Sequence, residues 1–179
     1  MKLYLLRGLP GCGKSTRSQE IMKASGNTVR LNKDLMRTML HFDKWSPKAE
    51  DLTHRSVRAL AKTLLLSNNV IIDDTNVNAG VMQSWKDLAK ECGVAHEVID
   101  MTDVPIDMCC ERDRTREKRV GYWVIKNMAL RTGLHKFGPG EVVLCDIDGT
   151  IADIKHRLHF VKQDPKDWGT FFRNMIFDT

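Results

Sequence analysis

Gly8, Gly13, Lys14 and Ser15 stand in the spacing G-x-x-x-x-G-K-[ST] within the run GLPGCGKST, residues 8–16. That pattern is the chemistry of a loop that wraps a polyphosphate. Glycines at Gly8, Gly11 and Gly13 let the backbone aim its N–H groups inward with no Cβ in the way. Lys14 is expected to reach the β/γ-phosphates of a nucleotide, and Ser15 to offer its hydroxyl to Mg²⁺. Cys12 and Thr16 complete the nucleotide-binding stretch. Cys12 also lies near a helix start whose field lowers a thiol pKa, which makes it a candidate for alkylation. A bland glycine turn is the competing reading. The loop's place, after the apolar run Leu3-Tyr4-Leu5-Leu6 and before a helical pattern, favours phosphate.

A bound triphosphate needs an acceptor, and three further clusters bear on it. Asn32-Lys33-Asp34-Leu35-Met36-Arg37 follows a short strand. Asp34 could take a proton from an attacking hydroxyl, and Arg37, one turn on, could hold an acceptor phosphate. An N-cap role for Asp34 fits its position equally well. Asp73-Asp74-Thr75-Asn76 closes an apolar strand, where an acid often serves a Mg²⁺ shell. Adjacent carboxylates point different ways, so only one of the two is expected to face the site. The third cluster, Arg112 to Arg119, is the densest basic run of the chain. On a continuous helix Arg112, Arg116 and Arg119 share a face, and such a face would be a lid over the transferring phosphoryl group. A solvated, charge-mixed helix is the plainer alternative.

The elements that must position these groups alternate short apolar strands with helical patterns, the signature of an α/β fold with a parallel sheet and crossover helices. Strands are expected at 2–7, 28–31, 70–73 and 95–100. Helices are expected to about Ala24, from about Lys33, from Pro47 to about Ser67, over 79–92, opening at Val104-Pro105, and from about Tyr122 to Arg131. The composition shifts at Thr132-Gly133 and again at Phe137-Gly138-Pro139-Gly140, which reads as a domain boundary: 1–137 and 138–179. Beyond it a new strand, Val142-Val143-Leu144-Cys145, runs into Asp146-Ile147-Asp148-Gly149-Thr150.

Of 179 residues, 42% are apolar and 28% charged, ordinary for a chain that buries a core. No apolar run approaches a membrane span and no signal-peptide pattern opens the chain, so a cytoplasmic location is expected. Five cysteines without paired spacing agree with reduced thiols. A net charge of +5 is a mild hint of a polyanionic partner. Of the four tryptophans, Trp45 stands in a polar stretch just after the Asp34/Arg37 segment and is the one singled out to stack on a base.

Taken together, these residues resemble the kinase domain of the phage-type bifunctional polynucleotide kinase/phosphatases, from Lys2 to about Gly133. The resemblance rests on the phosphate loop, the Asp34/Arg37 spacing, Asp74-Thr75-Asn76, and two arginines four apart, Arg112 and Arg116. It implies a P-loop kinase fold of about four parallel strands flanked by helices. It also implies ATP and Mg²⁺ held by Lys14 and Ser15. Asp34 would be general base for a 5′-hydroxyl of DNA or RNA, and Arg37 would contact the 3′-phosphate of the terminal nucleotide. Arg116 with Arg112 would stabilise the transferred phosphoryl group, and Asp74 rather than Asp73 would be the functional acid. In the phage members the host cytoplasm is the workplace.

Asp146-Ile147-Asp148-Gly149-Thr150 resembles the first motif of haloacid-dehalogenase-type phosphatases. There Asp146 would attack phosphorus, Asp148 would act as general acid and base, and both would hold Mg²⁺. The later Ser or Thr, Lys and acid pair of that family are not found between Ile151 and Thr179. The expectation is therefore the first strand and cap start of an incomplete phosphatase domain, inactive by itself. Its apolar surface around Trp168, Phe171, Phe172 and Phe177 would seek cover, with self-association as one outcome. Two other classes of function share the phosphate loop. One is a kinase of a small metabolite or nucleotide; the other is a non-catalytic, ATP-switched binding module.

Overall fold

The structure is a computed structural model that describes residues 1–134 and Lys162. The chain divides into two compact units, Met1–Lys136 and Phe137–Thr179. The strand expected at Val142–Cys145, with Asp146 and Asp148, lies outside the described residues.

Four strands form one sheet: β1 (Lys2–Arg7), β2 (Thr28–Leu31), β3 (Asn69–Ile72) and β4 (Ala95–Asp100). Their order is β2-β3-β1-β4 and every pairing is parallel. The central strands β1 and β3 are nearly continuous apolar runs, with Leu3, Leu5, Leu6, Val70, Ile71 and Ile72 all fully buried. Such runs are what a strand covered on both faces requires. Leu5 pairs with Ile72, and Ile72 with Leu31. The carboxyl ends of β1, β2 and β3 are therefore level, and the loops that leave them open on one edge of the sheet. Ligands collect outside that edge in open parallel sheets.

Six helices flank the sheet among the described residues: α1 (Lys14–Ala24), α2 (Lys33–His41), α3 (Pro47–Leu64), α4 (Ala79–Glu91), α5 (Ile106–Arg114) and α6 (Tyr122–Arg131). One core joins the sheet to α2, α3 and α4 through Met36, Val57, Ala61, Trp85 and Leu88. A second core packs Leu9 and Cys12 of the phosphate loop against Cys109 and Cys110 of α5 and Ile125 and Ala129 of α6. Helix starts are set locally. Asn32, Ser46 and Asn78 each accept a hydrogen bond from the N–H three residues on, at 3.0, 3.1 and 3.1 Å.

Two expectations need correction. The helix that starts at Pro47 ends at Leu64, three residues early, because Leu66 and Ser67 close tight turns onto Thr63 and Leu64 instead of extending it. More consequentially, the basic run 112–119 is not one helix. α5 stops at Arg114, so Arg112, Arg116 and Arg119 do not form a helical face. The cause is Asp113, which is buried and accepts the N–H groups of Val120 (3.0 Å) and Gly121 (2.8 Å). Those bonds fold residues 115–121 back over the end of α5.

Candidate active site

Phosphate chemistry begins where β1 gives way to α1. Gly13 caps α1 in a left-handed conformation (φ 103°) with no side chain bonded across the helix start. The first-turn N–H groups are thus left for a ligand, and the positive end of the helix dipole points the same way. Lys14 turns its ammonium back into the loop, donating to the carbonyls of Leu9 (2.7 Å) and Gly8 (3.0 Å). Gly11 has φ 86°, and a Cβ there would stand 2.2 Å from the Cys109 carbonyl, so the loop sits directly on the backbone of α5.

Gly11, Gly13, Lys14, Ser15 and Thr16 line a cleft of about 480 Å³. Gly8 and Cys12 do not line it. Gly8 donates to the Thr75 carbonyl at 2.9 Å, and a Cβ on it would meet Cys12 Sγ at 2.5 Å. Cys12 is buried, which removes it as an alkylation target. Both contribute to the loop's shape. Burial, with Cys12 alongside, also pushes the Cys109 thiol up to about 11, so this thiol stays protonated.

A second wall is stitched from the ends of β2 and β3. Asn32 donates to the Asp73 carbonyl at 2.5 Å, and Asp74 accepts the Lys33 N–H at 3.0 Å. These bonds pin the start of α2 to the end of β3 and set Asp34 at the cleft's edge. Asp34 is 77% exposed and pairs with Arg37, whose guanidinium is held from behind by Glu50. Against expectation, Asp73 and Asp74 both line the cleft. They diverge within it. Asp73 turns toward α1, paired with Arg30 at 2.6 Å, while Arg30 also reaches Ser15 Oγ at 3.4 Å. Asp74 turns toward α2, where burial raises its pKa although Lys33 opposes the shift.

The third wall carries Arg112 and Arg116, delivered by α5 and by the turn that follows it. Arg116 leans on Asp113 at 3.4 Å. Burial works to raise the Asp113 carboxyl, but the N–H groups of Gly121 and Val120, with Arg116, outweigh it and hold the group below its usual range.

Lys14, Ser15, Asp34, Arg37, Asp74, Arg112 and Arg116 line one cleft, whereas Asp146 and Asp148 lie outside the described residues. Arg30, Lys33, Glu50 and Asp113 were not foreseen. A basic residue ending β2 beside an acid ending β3 is a signal for Arg30 in hindsight; the Glu50 contact spans two helices and leaves none.

The profile of the AAA domain family matches residues 3–132. The chain belongs to that family. It is 29% identical over 164 residues to an L-seryl-tRNA(Sec) kinase of Methanococcus maripaludis, covering 88% of this chain and 61% of that one. It is 24% identical over 174 residues to a protein of Autographa californica nuclear polyhedrosis virus provisionally named a bifunctional polynucleotide kinase/RNA ligase, covering 84% of this chain and 25% of that one. A chain in the structure of the Pnkp1/Rnl/Hen1 RNA repair complex superposes with a TM-score of 0.65 at 24% identity, over 84% of this chain and 57% of that chain. The chain thus spans less than two thirds of the length of these relatives. The family and the sheet give the chain the fold of P-loop kinases, four parallel strands flanked by helices. Among the described residues no helix is long and apolar enough to cross a membrane.

Proposed function

We propose that this protein phosphorylates the 5′-hydroxyl ends of polynucleotides, DNA or RNA, with ATP as donor. The observation that carries the reading is that Lys14, Asp34, Arg37, Arg112 and Arg116 line a single cleft. Its two basic walls suit the donor and an acceptor that is itself a phosphate ester.

ATP lies over Gly11–Thr16, its terminal phosphates against the first-turn N–H groups of α1 and the Lys14 ammonium. Mg²⁺, when bound, neutralises charge on the β- and γ-oxygens. Ser15 Oγ and the Asp73 carboxylate are hard oxygen donors on one side of the cleft and would hold such an ion once the Arg30 guanidinium that bridges them moves aside. Asp34 takes the proton from the acceptor hydroxyl as that oxygen bonds to the γ-phosphorus. The bond from γ-phosphorus to the bridging oxygen breaks, and ADP leaves with the electron pair. Arg112 and Arg116 meet the charge that builds on the transferred group. Arg37 is oriented by Glu50 toward the acceptor's next phosphate.

The cleft continues into a second cavity of about 490 Å³ through Lys33, Thr75 and Met128, which line both. Val81, Val124 and Met128 give this cavity apolar walls, and Asn127 and Arg131 give it polar ones. Flat, hydrogen-bonding bases suit that mixture. The viral relative and the RNA repair complex support the same acceptor class. A second reading follows from the 29% identical relative: transfer to the hydroxyl of a serine carried on a tRNA. Labelled γ-phosphate offered with 5′-hydroxyl oligonucleotides, seryl-tRNA and small alcohols in parallel tests both. Transfer to oligonucleotide 5′ ends is expected; label on seryl-tRNA or small alcohols alone would overturn the proposal.

A further inference from the structure

The helix that carries Asp34 has a second apolar face. Met36 points into the core, yet Leu35, Met39 and Phe42 fall at i, i+4 and i+7 on the outside of α2 and are exposed, Phe42 by 83%. Just beyond it Trp45 is 74% exposed. Large apolar side chains standing together in water mark a surface that something covers.

The backbone holds this surface in an uncommon shape. Phe42 and Asp43 take left-handed conformations in succession (φ 54° and 60°), costly for an aromatic residue. Asp43 fixes the turn by accepting Thr38 Oγ1 and Lys118 Nζ, each at 2.8 Å. Lys118 belongs to the segment that delivers Arg116, so the aromatic loop is tied to the arginine wall of the cleft. With Asp43 already paired, Lys44 and Lys48 form no ion pair among the described residues and leave the loop net positive. Aromatic faces between unpaired lysines are how proteins grip single-stranded nucleic acid.

We propose that Phe42 and Trp45 form a stacking platform for unpaired bases of the strand whose 5′ end occupies the cleft. The proposal rests on the polynucleotide reading and extends it along the acceptor. Asp34 and Phe42 are eight residues apart on or at the end of α2, about 12 Å at the helical rise. A stacked strand advances about 3.4 Å per nucleotide. The platform therefore meets bases from about the fourth nucleotide on, and a dinucleotide does not reach it.

Steady-state phosphorylation of a dinucleotide and of an octanucleotide tests this, in the wild-type chain and in Phe42→Asn/Trp45→Leu. Asparagine tolerates the left-handed backbone, and leucine keeps apolar bulk without a π-face. For the wild type, KM should be lower for the octanucleotide by about fivefold or more per stacked base. In the variant that advantage should vanish, with dinucleotide kinetics and kcat unchanged. Equal KM for both lengths in the wild type, or an advantage that survives in the variant, would overturn the platform and leave the kinase reading standing. Binding of a fluorescent octanucleotide that is lost in the variant, without transfer to any 5′ end, would support the platform and sink the kinase reading. Neither binding nor transfer would sink both. A change of oligomeric state in the variant, with the octanucleotide KM unmoved, would make this face a contact between copies of the chain instead.

Discussion

Glu50 on α3 takes the guanidinium of Arg37 on α2 in a two-point grip: Nε donates to Oε2 and Nη2 to Oε1, each at 2.7 Å. A planar fork held at two points cannot swing as a lysine would. Only the Nη1 edge of Arg37, shared with Asp34, remains for the cleft. His54 adds a third contact to Glu50 at 3.1 Å.

Replacing Glu50 with Gln should therefore loosen Arg37 without removing it. The expected signature is a KM for the 5′-hydroxyl acceptor raised about tenfold, the size of one charge-assisted hydrogen bond, with ATP affinity unchanged. The Arg37 hydrogen bonds, outweighing partial burial, hold the Glu50 carboxyl down at about 2. A depressed acid contributes stability that is complete above its unfolded pKa and is lost as pH falls through the folded one. Thermal melts should thus fall away between about pH 4.5 and pH 2 in the wild type, with a shallower decline in Glu50→Gln. The pair is partly exposed, so the difference should be about 1 kcal/mol.

Asp34→Asn tests the proposed general base. The side chain is largely exposed and caps no helix, since Asn32 holds that place. Its loss should leave the fold intact. Removing a general base costs about 10²–10⁴ in turnover. Nucleotide binding by calorimetry should stay at the wild-type value. An ATP-driven switch that transfers nothing would show no such loss.

What could be read from residues alone was whatever is local. The phosphate loop, the four strands and the starts of α2, α3 and α4 follow from runs and caps a few residues long, such as Ser46-Pro47 or Asn78 ahead of α4. The shape of the Arg112–Arg119 segment escaped because it depends on a buried carboxylate. Asp113 is one charge among eight residues of mixed charge, and nothing in that pattern marks it as the one that turns inward and collects Val120 and Gly121. The place of Asp73 is hidden for a related reason. Adjacent carboxylates do diverge, but the cleft is wide enough to be bounded by both.

Asp113 and Arg116 should separate geometry from charge. In the proposed reaction Arg116→Ala removes a cation that meets the transferred phosphoryl group, and such losses cost about 10³–10⁵ in kcat. Asp113→Ala keeps the arginine but frees the segment that presents it. A misplacement of this kind costs about 10². Both should bind ATP normally. Only Asp113→Ala should make residues 115–121 a new site of limited proteolysis, and a cleavage pattern like the wild type's would show that other contacts hold the segment.

Gly11→Ala should unseat the phosphate loop from below. At φ 86° any side chain is strained by about 1–2 kcal/mol. The added methyl would also stand 2.2 Å from the Cys109 carbonyl, which is helix backbone and cannot turn aside. Relief requires the loop to lift off α5, at a further cost of about 1–3 kcal/mol. Chemical denaturation should register a combined loss of about 2–5 kcal/mol, with ATP binding weakened in parallel. Gly26→Ala is the control, because a Cβ there meets nothing within 4 Å and its backbone is not left-handed. It should shift stability by less than about 0.5 kcal/mol. Equal effects at the two positions would mean that the loop does not rest on α5 in solution.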